Sequence, residues 1–227
     1  LGVPITKPIE FGYIYCGTSS GICRCIYTLS EWIRAKDVES MLPFMTETER
    51  YTLGLKAGGI LRKIHSLSAP DVIDDWQERY FAVIDERVSA YRSNEIPFKG
   101  DSVILDYYER GRNLLSGRPQ CFLHGDFHEG NLMVGDGLYV IDPLDEGFGN
   151  FGDPWYDFRS VGGTYFFTGT VRGYFGGEAP DEFWNVLDYY LITAALTSIV
   201  WTKYNKPEEL PEDGEKVLYG NVGELKL

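Results

Sequence analysis

Cysteine is scarce in this chain of 227 residues, with four at Cys16, Cys23, Cys25 and Cys121. A secreted disulfide scaffold is smaller and denser in cysteine, and a zinc site needs closer companions than these. Cys23 and Cys25 alternate with apolar residues on an expected strand and read as buried free thiols. Histidine is scarcer still: His65, His124 and His128 are the only three. Long apolar runs are missing too. The longest, Leu191 to Trp201, is too short to span a bilayer and contains Thr and Ser. Signal-peptide patterns, internal repeats and low-complexity tracts are also lacking. These absences point to a cytoplasmic globular chain of one large or two modest domains. Its 44% hydrophobic and 15% aromatic content supplies a sizeable core and argues against disorder.

Positive charge is the other shortage. Lys and Arg number 21 against 34 acids, a net charge of −13, which disfavours nucleic acid and anionic membrane surfaces as partners. From Pro119 to Phe158 there is no Lys or Arg, while Asp126, Glu129, Asp136, Asp142, Asp145, Glu146, Asp153 and Asp157 all fall there. An acidic stretch of this kind needs cations. Magnesium is one, and a polycationic substrate steered by the same field is another. Acidity for solubility alone is the plainer alternative.

The acidic stretch holds the segment around which the chain is organised, His124-Gly125-Asp126-Phe127-His128-Glu129-Gly130-Asn131. Cys121-Phe122-Leu123 leads in and Leu132-Met133-Val134 leads out. Gly135-Asp136-Gly137 then turns the chain into Leu138-Tyr139-Val140-Ile141, which ends on Asp142. This predicts strand, polar loop, strand, turn, strand. Phosphoryl transfer uses such a set: a carboxylate that accepts the proton of the attacking hydroxyl, and an amide oxygen with a second carboxylate on Mg²⁺. Asp126 is the candidate base, with Asn131 and Asp142 as candidate metal ligands. Two other readings exist. One is a polar hairpin loop with a buried capping Asp. The other is a metal hydrolase built on His124, Asp126 and His128, since alternate residues of an extended segment share a face.

The pattern H-G-D-x-H-x-G-N, followed by Ile141-Asp142 and by Gly152-Asp153-Pro154-Trp155-Tyr156-Asp157-Phe158, resembles the aminoglycoside phosphotransferase family of protein-kinase-like small-molecule kinases. The resemblance implies an α+β, protein-kinase-like fold. A partial β N-lobe (1–29) and a hinge (30–37) lead to a mostly helical C-lobe (38–227). It also implies Asp126 as catalytic base, Asn131 and Asp142 on Mg²⁺, and His124 and Asp157 as structural supports of the catalytic loop. Pro143 departs from the aromatic residue that commonly follows the metal aspartate. In this family the hinge backbone holds adenine, which places ATP or GTP against Ser30, Glu31 and Trp32. A phosphate-covering loop, a strand lysine and a helix glutamate normally precede the hinge. None is found in this sequence, so the N-terminal part of the N-lobe is expected to lie outside it.

Along the rest of the chain, Phe11–Cys16 and Cys23–Leu29 read as strands. Thr46–Leu67 reads as a long helix opened by a Thr46-x-x-Glu49 capping box, with His65 near its end as a structural histidine. Asp71–Asn94 and Asp101–Leu115 read as further amphipathic helices. Asp153-Pro154 has the N-cap and first-turn chemistry of another. Pro180–Tyr204 reads as a core helix, with Phe183, Trp184, Tyr189, Tyr190 and Trp201 inward. The glycine-rich segment at Asp145–Phe151 has the composition of a mobile loop, and Asp145 and Glu146 are candidate contacts for substrate ammonium groups. The acidic tail, Pro207–Glu215, is either a further wall of the substrate cleft or a solvated loop.

The expected function is therefore phosphorylation, by ATP or GTP, of a hydroxyl on a small cationic molecule such as an aminoglycoside, and hence antibiotic resistance. The alternatives are a metabolic kinase of the choline, homoserine, sugar or macrolide type, and a non-catalytic kinase-like binding module.

Overall fold

The computed structural model describes residues 2–18, 21–93, 100–143 and 149–205. Asp145, Glu146 and the acidic tail lie outside these residues.

Strands β1 (Pro8–Thr18) and β2 (Gly21–Ser30) form an antiparallel ribbon in which Phe11 faces Thr28 and Cys16 faces Cys23. β-branched and aromatic residues favour this pairing. Phe11, Tyr15 and Ile26 stand 80%, 68% and 74% exposed. Cys25 is exposed as well, against the expectation of a buried thiol. Alternation signals a coverable face, and among the described residues no second layer packs on this ribbon. The Cys23 side chain lies outside the described part.

Strand β3 (Lys36–Asp37) pairs antiparallel with β5 (Leu132–Val134), and β5 pairs with β6 (Leu138–Val140), which gives a sheet of order β3-β5-β6. Ile5 bridges Val140 on the outer side, where Val140 N–H donates to the Pro4 carbonyl at 2.9 Å. β4 (Cys121–Phe122) pairs instead with β7 (Phe151–Gly152). The loop between β4 and β5 therefore joins two separate sheets and is not the bend of a single hairpin.

Asp37 caps the short helix α1 (Val38–Met41) through Ser40 N–H. Helix α2 (Glu47–Ile64) opens on the predicted capping box: Glu49 N–H donates to Thr46 Oγ1 at 3.3 Å and Thr46 N–H to the Glu49 carboxylate at 2.8 Å. Helix α3 runs from Trp76 to Ser93, five residues shorter at its start than expected. Asp75 stops it there, its carboxylate accepting from Gln77 N–H at 2.8 Å and its carbonyl from Arg79 N–H at 3.1 Å. Helix α4 (Asp101–Arg110) continues as a 3₁₀ turn, Gly111–Leu115. Pro154–Ser160 is also 3₁₀, capped by Asp153 as read.

Helix α5 (Thr164–Phe175) carried no helical reading in the sequence. It packs on α2 in the most extensive helix contact among the described residues. Helix α6 (Asp181–Asn205) is long and apolar enough, by length and composition, to cross a bilayer. It is a wall shared by two cores. Phe183 and Leu187 join Leu61, Phe127, Leu132, Phe158 and Phe166 in one. Tyr189, Tyr190 and Leu196 join Trp76, Tyr80, Phe81 and Tyr156 in the other. Trp184 and Trp201, expected inside, are 42% and 56% exposed. Apolar residues surround this helix, and only part of its circumference meets a neighbour.

Candidate active site

Two apolar anchors fix the loop after β4. Phe127 and Leu132 are fully buried in the core beside α2 and α5, so the residue between Gly125 and Phe127 is turned outward. That residue is Asp126, half-buried, and its backbone and side chain are both engaged. Asn131 Nδ2 donates to Asp126 O at 2.8 Å and to Asp126 Oδ2 at 3.0 Å. The candidate base and the first candidate metal ligand therefore touch. Ile141 N–H donates to the Asn131 carbonyl at 3.0 Å, which brings the following residue, Asp142, to the same edge. Asp142 is exposed and takes the rare left-handed backbone, with φ 53°.

His124 and Asp157 hold this arrangement from beneath. His124 is 2% exposed. Its Nδ1 accepts from Asp126 N–H at 3.3 Å, and its Nε2 donates to the Ile141 carbonyl at 2.9 Å. One ring thus ties Asp126 to the peptide that precedes Asp142. Burial lowers its affinity for a proton, in keeping with the neutral tautomer that these two bonds require. With both ring nitrogens on backbone groups, His124 is not placed as a metal ligand, and the hydrolase reading loses one of its three residues. Asp157, fully buried, accepts from His124 N–H at 2.7 Å, Gly125 N–H at 2.8 Å and His65 Nε2 at 2.9 Å. Burial works against its charge, but His65 and the other surrounding donors and charges outweigh it and hold the carboxyl below its usual value. His65 in turn meets Tyr174 of α5 through Nδ1 at 3.0 Å. The C-terminal end of α2 and helix α5 are thereby linked to the loop.

The sequence offered His128 only as a possible hydrolase ligand, and it did not single out Arg159. His128 accepts from Gly130 N–H at Nδ1, 3.0 Å, and sets Nε2 3.4 Å from Asp126 Oδ2. His128 holds the Asp126 carboxyl below the ordinary carboxylate range, and Asp126 raises His128 in return. Arg159 donates to the Gly125 carbonyl at 2.7 Å and the Tyr156 carbonyl at 3.1 Å, with its guanidinium 3.7 Å over the Tyr156 ring. No local pattern marks an arginine that binds carbonyls from a distant loop.

The donor set suits a hard divalent cation. The amide nitrogen of Asn131 is held by Asp126, which orients its carbonyl oxygen away from that residue. Asp142, exposed, follows the Ile141 peptide that is bonded to the Asn131 carbonyl. Oxygen-only ligands of this type suit Mg²⁺, which keeps several waters and takes phosphate oxygens as further ligands. The predicted adenine segment lies at the end of β2. There Glu31 N–H is already committed to the Lys7 carbonyl at 2.9 Å, Ser30 is partly buried and Trp32 is 90% exposed. β3 carries the chain from this segment directly onto β5, beside the Asp126 loop.

The chain matches no curated protein in sequence. Its structure resembles a choline/ethanolamine kinase family protein from Mesorhizobium loti, with a TM-score of 0.60 and 18% identity over 96% of this chain and 71% of the relative. It also resembles the aminoglycoside phosphotransferase APH(2″)-IIa in its streptomycin–ATP ternary complex, with a TM-score of 0.61 and 16% identity over 97% and 75%. The choline kinase LicA from Streptococcus pneumoniae gives a TM-score of 0.57 and 18% identity over 96% and 74%. At these identities the likeness establishes the fold: protein-kinase-like, α+β, with a partial β N-lobe and a helical C-lobe. The sequence profile of the phosphotransferase enzyme family, APH, matches residues 1–182, and the chain belongs to that family.

Proposed function

We propose that this phosphotransferase moves the γ-phosphate of ATP or GTP to a hydroxyl of a small molecule, with Asp126 as the base. The observation that supports the reading is the bonded unit of Asp126, Asn131 and the Ile141 peptide, which joins a half-buried carboxylate to an oriented amide and to the backbone that leads into an exposed Asp142. Asp126 orients the acceptor hydroxyl and takes its proton, and His128 and Asn131 keep it ionised for that task. Asn131 and Asp142 would hold Mg²⁺, which when bound neutralises charge on the nucleotide phosphates. His124 and Asp157 are positioning residues. The backbone of Ser30 to Trp32 would meet the nucleotide base, with the Glu31 N–H excluded.

The acid excess of residues 119–158 supports a cationic acceptor of the aminoglycoside kind, the class to which the streptomycin complex belongs. A smaller amino alcohol is a second reading, drawn from the names of two kinase relatives. The test is ADP and GDP release by the polypeptide with Mg²⁺ across a panel of aminoglycosides, amino alcohols and macrolides. The Asp126→Asn variant should lose at least about 10²–10⁴-fold in turnover while binding nucleotide within about twofold. Retained turnover removes Asp126 as base. Acceptor-independent binding with no release would favour the non-catalytic module.

A further inference from the structure

We infer that Arg159 is a positioning residue for phosphoryl transfer and fixes, through the Gly125 carbonyl, the peptide that aims Asp126; this rests on the phosphoryl-transfer reading of Asp126. The 3₁₀ turn Pro154–Ser160 holds Gly125 at both ends. Asp157 accepts from Gly125 N–H at 2.8 Å, and Arg159, two residues on, donates from Nη2 to the Gly125 carbonyl at 2.7 Å. Gly125 needs outside support, because its φ is 83°. Glycine populates positive and negative φ about equally and does not itself choose between them. A slip of this residue would carry Asp126 with it.

The carbonyl of Gly125 and the N–H of Asp126 belong to one planar peptide. Its plane sets the direction in which Asp126 leaves the loop, because Phe127 on the far side is locked in the core. Two bonds hold that plane. Asp126 N–H meets the neutral His124 ring at 3.3 Å, a long contact. The guanidinium meets the carbonyl at 2.7 Å, a charge-assisted bond of the shorter and stronger kind. Arg159 is therefore the firmer tie. It is itself held in place: its side chain is buried, Nη1 donates to the Tyr156 carbonyl at 3.1 Å, and the guanidinium lies 3.7 Å over the Tyr156 ring. A planar fork reaches both carbonyls and stacks at once, which an ammonium on a flexible stem does not. Arg159 and Asp126 also line one groove of about 1010 Å³, so a small solute can reach the position of the guanidinium once the side chain is removed.

The test compares the parent with Arg159→Ala and Arg159→Lys as full chains, in ADP and GDP release with Mg²⁺ over the same aminoglycosides, amino alcohols and macrolides. Arg159→Ala should lose about 10²-fold in kcat, the scale of a misplacement of about 1 Å, with KM for nucleotide within about twofold of the parent. Arg159→Lys should lose nearly as much, because charge without the planar fork does not hold the peptide. Guanidinium chloride, well below unfolding concentrations, should raise the kcat of Arg159→Ala at least about tenfold, and ammonium chloride should not. Turnover of Arg159→Ala within about twofold of the parent overturns the inference. So does a loss that Arg159→Lys repairs, or one that guanidinium leaves untouched in folded Arg159→Ala. Where Arg159→Ala does not fold, Arg159→Lys decides by the same loss of kcat at constant KM. A parent that releases no ADP or GDP, or an Asp126→Asn variant that turns over as the parent does, overturns the phosphoryl-transfer reading instead, whatever the Arg159 variants do.

Discussion

Asp157 shows how far one buried carboxylate reaches. It accepts from two loop amides and the His65 ring at once, at a fully buried site. Asp157→Ala should cost about 1–3 kcal/mol for each buried donor left without an acceptor, read as a fall in Tm or denaturant midpoint. The same group sets a pH dependence. Its folded carboxyl lies below its unfolded value, so its stabilisation is complete above the ordinary carboxyl value of about 4. It is lost as pH falls through the lower folded value. Asp157→Asn should flatten that acid limb, and a limb unchanged in slope would move the effect to other carboxyls. The sequence showed this residue only through the resemblance. That Asp153 caps the 3₁₀ turn was legible from Asp-Pro alone, because capping is local. That Asp153 also accepts from Arg118 and Tyr190 was not, since those partners lie far along the chain.

Among the longer helices, α5 was the one missed outright. Its sequence, TYFFTGTVRGYF, is rich in β-branched, aromatic and glycine residues, all poor helix formers. Packing on α2 makes it a helix. A Cβ at Gly54 or Gly58 would stand 2.2 or 2.0 Å from a carbonyl of α5, and one at Gly169 or Gly173 would stand 2.2 or 2.1 Å from a carbonyl of α2. The glycines let the two backbones touch, and α5 then closes on Gly176 in the left-handed conformation. Gly58→Ala should therefore destabilise by about 1–3 kcal/mol from overpacking, more than the gain of up to about 1 kcal/mol in helix propensity. At the adjacent Gly59 a Cβ meets nothing within 4 Å. Gly59→Ala should stabilise by about 0.5–1 kcal/mol. Thermal melts of the pair check this, and equal shifts in the same direction would contradict the close-packing account. The double-glycine spacing in both segments was present in the sequence. Its meaning depended on the two helices facing each other.

At the scale of the molecule, cation and nucleotide should act as one ligand. Saturating Mg²⁺-nucleotide at about 100 times its Kd should raise stability by about 2.7 kcal/mol, and EDTA should abolish the rise. Asp142→Ala should show little rise even with Mg²⁺ present, while its apo stability falls by only about 1 kcal/mol, because the side chain is exposed and the cost is that of Ala in a left-handed backbone. A full nucleotide shift in that variant would remove Asp142 from the metal site.

The sequence by itself determined the strands around the loop, the capped start of α2, the order of Asp126, Asn131 and Asp142, and the family. Each depends on neighbours within a few residues, or on a spacing that the chemistry requires. Tertiary structure decided that the loop joins two sheets, that His124 binds Asp126 to the Ile141 peptide, that α5 is a helix, and that Asp153 and Asp157 are buried on Arg118 and on loop amides. Those facts depend on which distant surfaces meet, and the direction of a side chain is fixed only when its element is packed.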